Sequence, residues 1–159
     1  MMKITDLLAK AQENTGANFI GLLRKEARIR HGMGSEVSDI LGWDTIVKAE
    51  DGNCYSYYSA QAPLIGTTMP LPTACPLGIV AFNQCKIDIE EAIHIFQSQN
   101  GGDHFTQITL SWPLVHPAAI EPHWHFRTNL GNDVAIGGNS GRINAIQAGR
   151  IITQMEKQH

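Results

Sequence analysis

Apolar positions along the chain fall into two helical stripes, each followed by stretches that alternate with period two. Ile89, Ala92, Ile93 and Phe96 recur at i, i+3, i+4 and i+7, which sets them on one helix face with Glu90 and Gln97 off it. Asp88 stands before this stripe and Glu91 three residues later, an Asp-x-x-Glu variant of the capping box that offers acceptors to the first turn's free N–H groups. Asn100-Gly101-Gly102 ends the helix. From Thr106 to Trp112, Ile108, Leu110 and Trp112 alternate with Gln107, Thr109 and Ser111, the pattern of a half-buried strand. A second strand is expected from Glu121 to Thr128, with Trp124 and Phe126 inward and Glu121, His123, His125 and Arg127 on the opposite, solvent-facing side. Turn clusters at Leu130–Asp133 and Gly138–Gly141 bracket a third short strand containing Val134 and Ile136.

The N-terminal half repeats this order. Ile4, Leu7, Leu8 and Ala11 form a like stripe, closed by Gly16. The run Phe19–Ile29 suits a strand, while its segment Leu22–Ala27 suits a helix equally well. Trp43 opens a strand through Ala49, Asp51-Gly52 signals a tight type I′ hairpin, and Cys54–Ala60 returns as its partner. Helix, glycine break, strand, loop, tryptophan-led strand, turn and strand thus occur twice. The expected class is α+β, with two tandem repeats of helix plus antiparallel sheet. They span residues 1–62 and 78–144, with a Pro-rich linker at 63–77 packed down through Leu64, Ile65, Met69 and Leu71, and a C-terminal helix over 145–159. The whole forms one compact domain.

A chain of 159 residues with 43% hydrophobic and 17% charged side chains can bury a sizeable core. Its net charge of −3 and scattered Lys and Arg lack the footprint of a nucleic-acid binder, and no run of apolar residues is long enough for a membrane span. Three cysteines, Cys54, Cys75 and Cys85, have no CxxC spacing and read as free buried thiols. The polar N-terminus carries Asp6 early and does not resemble a signal peptide, so a cytoplasmic protein is expected.

The second repeat resembles a PepSY-type domain, the module found in propeptides of thermolysin-type metalloproteases. The matching features are Ile89-Glu90-Glu91-Ala92-Ile93, the strand after a Gly-rich break, His123-Trp124-His125-Phe126, Asp133-Val134-Ala135-Ile136 and Ser140-Gly141-Arg142-Ile143. Doubled, the plan is similar to the β-lactamase-inhibitor-protein-like fold. The resemblance implies a non-catalytic module that binds or inhibits a protein.

Histidine is the one reactive side chain in excess. Glu121, His123 and His125 at i, i+2 and i+4 of one strand face, with His116 in the preceding loop, could converge on zinc or iron, making His116, His123 and His125 metal candidates. No nucleophile–base motif and no phosphate loop stands beside them. Tyr55 and Tyr57 share one face of their strand and offer contact area at low entropic cost. The principal expectation is a binding or inhibitory module without a cofactor. It presents Glu121, His123, His125, Arg127, Tyr55 and Tyr57 to a protein or peptide. A small metal-dependent enzyme using Glu121, His123 and His125, and a structural subunit of a homo-oligomer, are the alternatives.

Overall fold

The computed structural model describes residues 4–15, 18–61, 66–99, 102–114 and 120–146. Helix α1 (Ile4–Thr15) leads into β1 (Phe19–Ile29), β2 (Ile40–Ala49), β3 (Cys54–Ala60), β4 (Gly66–Thr67) and β5 (Leu71–Thr73). Helix α2 (Ile89–Gln97) follows, then β6 (Phe105–Ser111), β7 (His123–Thr128), β8 (Asp133–Gly137) and β9 (Ile143–Ile146). All strands pair antiparallel in one sheet of order β4-β3-β2-β1-β6-β7-β8-β9, with β5 also on β3.

This overturns the α+β class with two helix-plus-sheet repeats. The helices supply only 12 and 9 residues. The edge that each half would have kept for itself is consumed by β1–β6 pairing, Arg24 with Ser111, Lys25 with Leu110 and Glu26 with Thr109. One core results, in which Ile4 and Leu8 of α1 and Ile89, Ala92, Ile93 and Phe96 of α2 pack on Leu22, Trp43, Val47, Ile108, Leu110, Trp124, Phe126 and Ile136. Both helices therefore lie on the same face of the sheet. Phe96 stacks on Phe126 at 4.6 Å between ring centroids. The side chains of Leu7 and Ala11 lie outside the described residues.

Locally, α2 starts where Asp88 Oδ1 accepts from the Glu91 N–H at 2.9 Å. Phe19–Ile29 is strand throughout, because its backbone pairs with β2 along its length and with β6 as well at Arg24–Glu26. A register shift between Leu22 and Arg24 bulges β1. The Asp51-Gly52 hairpin forms with a different turn: Gly52 N–H donates to Ala49 O at 3.0 Å, and Gly52 alone takes positive φ, at 90°. That is a type I turn closed by a left-handed glycine rather than type I′.

The segment expected as a linker is stitched to β3 by β4, β5 and a Cys54–Cys75 disulfide, so two of the three expected free thiols are bonded. Met69 and Leu71 are exposed rather than packed down; Leu64 and Ile65 lie outside the described residues. At the C-terminus Ala145 and Ile146 belong to β9, paired with Val134 and Asp133, so no helix begins at 145; residues 147–159 lie outside the described residues. Among the described residues no helix is long and apolar enough to cross a membrane.

Candidate functional site

On the face turned away from both helices, the pairing registers align polar side chains across the six central strands. One row reads Tyr58, Asp44, Glu26, Thr109, His125 and Ala135, and its neighbour Ser56, Ile46, Arg24, Ser111, His123 and Gly137. Three ion pairs lie on this face: Arg24 with Glu26 at 2.5 Å, Arg28 with Asp44 at 2.7 Å and Arg127 with Asp133 at 3.2 Å. Arg28 is held most firmly. Its Nε and Nη2 both donate to the Asp44 carboxylate, and its guanidinium lies 4.3 Å from the Tyr58 ring centroid. The hydrogen bond to Asp44 raises its already high pKa further. Tyr58 in turn lies across Gly42, where an added Cβ would collide with the phenol ring and its hydroxyl. Glycine at 42 is thus what lets the ring lie flat on the sheet.

The residues singled out from the sequence divide between surface and interior. Arg127 is exposed on this face, and His125 is half-buried beside it. His123 is not solvent-facing as expected: it is only 2% exposed, and its Nδ1 lies 2.9 Å from Glu121 O, which as a carbonyl can only accept. Glu121 precedes β7 rather than belonging to it, and reaches the turn after β8. Its Oε1 accepts from the N–H groups of Asn139 and Ser140, its Oε2 from the Ser140 hydroxyl. Desolvation pushes the Glu121 carboxyl up, but these three hydrogen bonds and neighbouring His123 outweigh it and hold the group below its usual range. The carboxylate is therefore a turn clamp. Tyr57 is buried on the core face, and Tyr55 packs edge-on to Phe19, 5.4 Å between centroids, so of the three tyrosines Tyr58 is the one on the polar face. Among the described residues no three His, Cys, Asp or Glu side chains come together to hold a metal, and His116 lies outside them.

The core face holds a group that sequence reasoning missed. Past the bulge in β1, Lys25 lies in the row Tyr57, Thr45, Lys25, Leu110, Trp124 and Ile136. It is 2% exposed, and its Nζ lies 4.4 Å from the Trp43 ring centroid and 5.4 Å from that of Trp124. Among the described residues no hydrogen bond or ion pair reaches this ammonium. Burial lowers its pKa to about 8, with a small opposing pull from Cys85. Lys25, Cys85 and Trp124 line a cavity of about 570 Å³ between α1, the segment before α2, and the sheet. The Cys85 thiol, 3.3 Å from Ile87 O and 3.4 Å from Gly138 O, is pushed up to about 11 by burial, so it stays protonated and a poor nucleophile at neutral pH.

Comparison with protein-family models, with curated proteins and with solved structures finds no match.

Proposed function

We propose that the chain is a non-catalytic binding module whose polar sheet face receives a protein or peptide partner. The observation that carries this is the Arg28 cluster. A guanidinium fixed by two hydrogen bonds to Asp44 and seated on Tyr58 has already lost its rotamer freedom, so a partner gains an Arg and a Tyr, the residue types that dominate binding hot spots, without ordering them. Exposed Arg127 and half-buried His125 extend the same face. The resemblance of residues 78–144 to the PepSY-type module points to the same role. Glu121 is committed to its turn and Cys85 is held as a protonated thiol, so neither is assigned a bond-making step.

A cytoplasmic placement and the Cys54–Cys75 disulfide pull in opposite directions, since cytosolic thiols are held reduced. The disulfide supports an oxidising compartment. Counting free thiols in protein taken from its host decides: one for the bonded form, three for the reduced.

A photo-crosslinking residue at exposed Gln107 on the polar face, against one at exposed Glu90 on α2, tests the binding face. A single partner captured from position 107 alone, and lost in Arg28→Ala/Tyr58→Ala, is expected. Equal capture from both positions would refute the reading, and capture of a second copy from 107 would make the protein a structural subunit instead.

A further inference from the structure

We infer that the cavity beneath Trp124 is a binding site for a small organic carboxylate, its anionic end against Lys25 and its apolar body against Leu110, Ile4 and the Trp124 ring. This goes beyond the partner-binding face, which lies on the opposite side of the sheet.

Among the described residues the Lys25 ammonium has no counter-charge. A buried ammonium ordinarily has a carboxylate, because water no longer screens it. Among the described residues no carboxylate pairs with Lys25: Asp88, on the cavity wall, caps α2; Glu121 clamps the turn at 138–141; Glu26 pairs with Arg24 on the other face. The Trp43 and Trp124 rings offer only their π-faces, which stabilise a cation without neutralising it. A methionine of nearly the same length would fill the slot with no charge to bury, so an amine here is a group waiting for a partner.

The cavity supplies room for that partner. Its volume falls within the range of small-molecule sites, and its lining mixes apolar walls with the amides of Asn83 and Gln84. Lys86, the second cation on the lining, rules against a cationic ligand. A phosphate or sulfate dianion would need a cradle of several donors, whereas one buried ammonium among apolar walls matches a monoanion with an apolar tail.

Calorimetric titration of the full chain with hexanoate, hexanamide and inorganic phosphate tests the site. Hexanoate is expected to bind about tenfold or more tightly than isosteric hexanamide, the worth of one charge-assisted hydrogen bond, with phosphate the weakest. Lys25→Met should abolish the preference for hexanoate over hexanamide. In wild-type protein carrying isotope-labelled lysine, saturating hexanoate should shift the Lys25 titration upward from about 8, a readout that stands even if the variant fails to fold. Equal binding of hexanoate and hexanamide, binding of neither at 10-millimolar order, or phosphate binding as tightly as hexanoate would overturn the proposal.

Discussion

The two faces of the sheet treat charge in opposite ways, and strand β1 shows both treatments within five residues. Arg24, Glu26 and Arg28 point to the polar face, where each has an ion-pair partner although water could have served them. Lys25, between them in sequence, points into the core, where a partner matters far more, and has none among the described residues. Exposed pairs of this kind contribute roughly 0–1 kcal/mol each, whereas an unpaired buried charge costs several times that. The outward pairs thus fix the shape of a surface, and the inward ammonium is tolerated for something other than stability.

Trp124 should give the largest effect of any single change on the core side. It is 1% exposed, donates through Nε1 to Ile87 O at 2.9 Å and walls the cavity, so Trp124→Ala is expected to cost about 3–5 kcal/mol in urea unfolding. A loss under about 1 kcal/mol would mean that this face is not the core. Removing the Cys54–Cys75 bridge, which spans 21 positions, should cost about 3 kcal/mol by releasing the unfolded chain, measured with Cys54→Ala/Cys75→Ala.

Lys25→Met should do the reverse and stabilise the unliganded protein by about 2–3 kcal/mol at pH 7, since a pKa of about 8 in place of 10.5 means that folding disfavours the ammonium. Unchanged or lower stability would show that the amine has a structural partner.

The same difference predicts a pH dependence. Above pH 8 the folded protein releases the Lys25 proton while the unfolded chain keeps it until about 10.5, so stability should rise with pH. Cys85 acts oppositely: its thiol is held protonated to about 11 against an ordinary 9, which removes stability between those values. The gain should therefore be confined to pH 8–9 and reach roughly 1 kcal/mol, flattening above it, and be absent in Lys25→Met. The smallest effect belongs to the polar face, where Arg28→Ala should cost under about 1 kcal/mol of stability while weakening partner binding.

What could be read from the sequence follows the range of the interactions. Helix α2 was legible because Asp88, Glu91 and the stripe Ile89, Ala92, Ile93 and Phe96 act within a few residues of each other, and the inward Trp124 and Phe126 because β7 is unbulged between β6 and β8. Lys25 was illegible because one inserted residue between Leu22 and Arg24 reverses the parity of the alternation, bringing Leu22 and Lys25 to the same face. The closure of Glu121 on Asn139 and Ser140 depends on a turn 18 positions away. The merging of two halves into one sheet rests on three residue pairs between β1 and β6, which no local pattern announces. Cys54–Cys75 likewise joins β3 to a proline-rich segment whose composition reads as a linker.

The inward ammonium of β1 is tested most directly by following the side chain of Lys25 through a pH titration by NMR, in protein labelled at lysine and assigned with Lys25→Met. A midpoint near 8 is expected, well below the ordinary lysine value of 10.5. A midpoint at or above 10.5 would contradict the account, because it would mean that Lys25 is either solvated or already paired, and that the two faces of the sheet do not differ in how they hold charge.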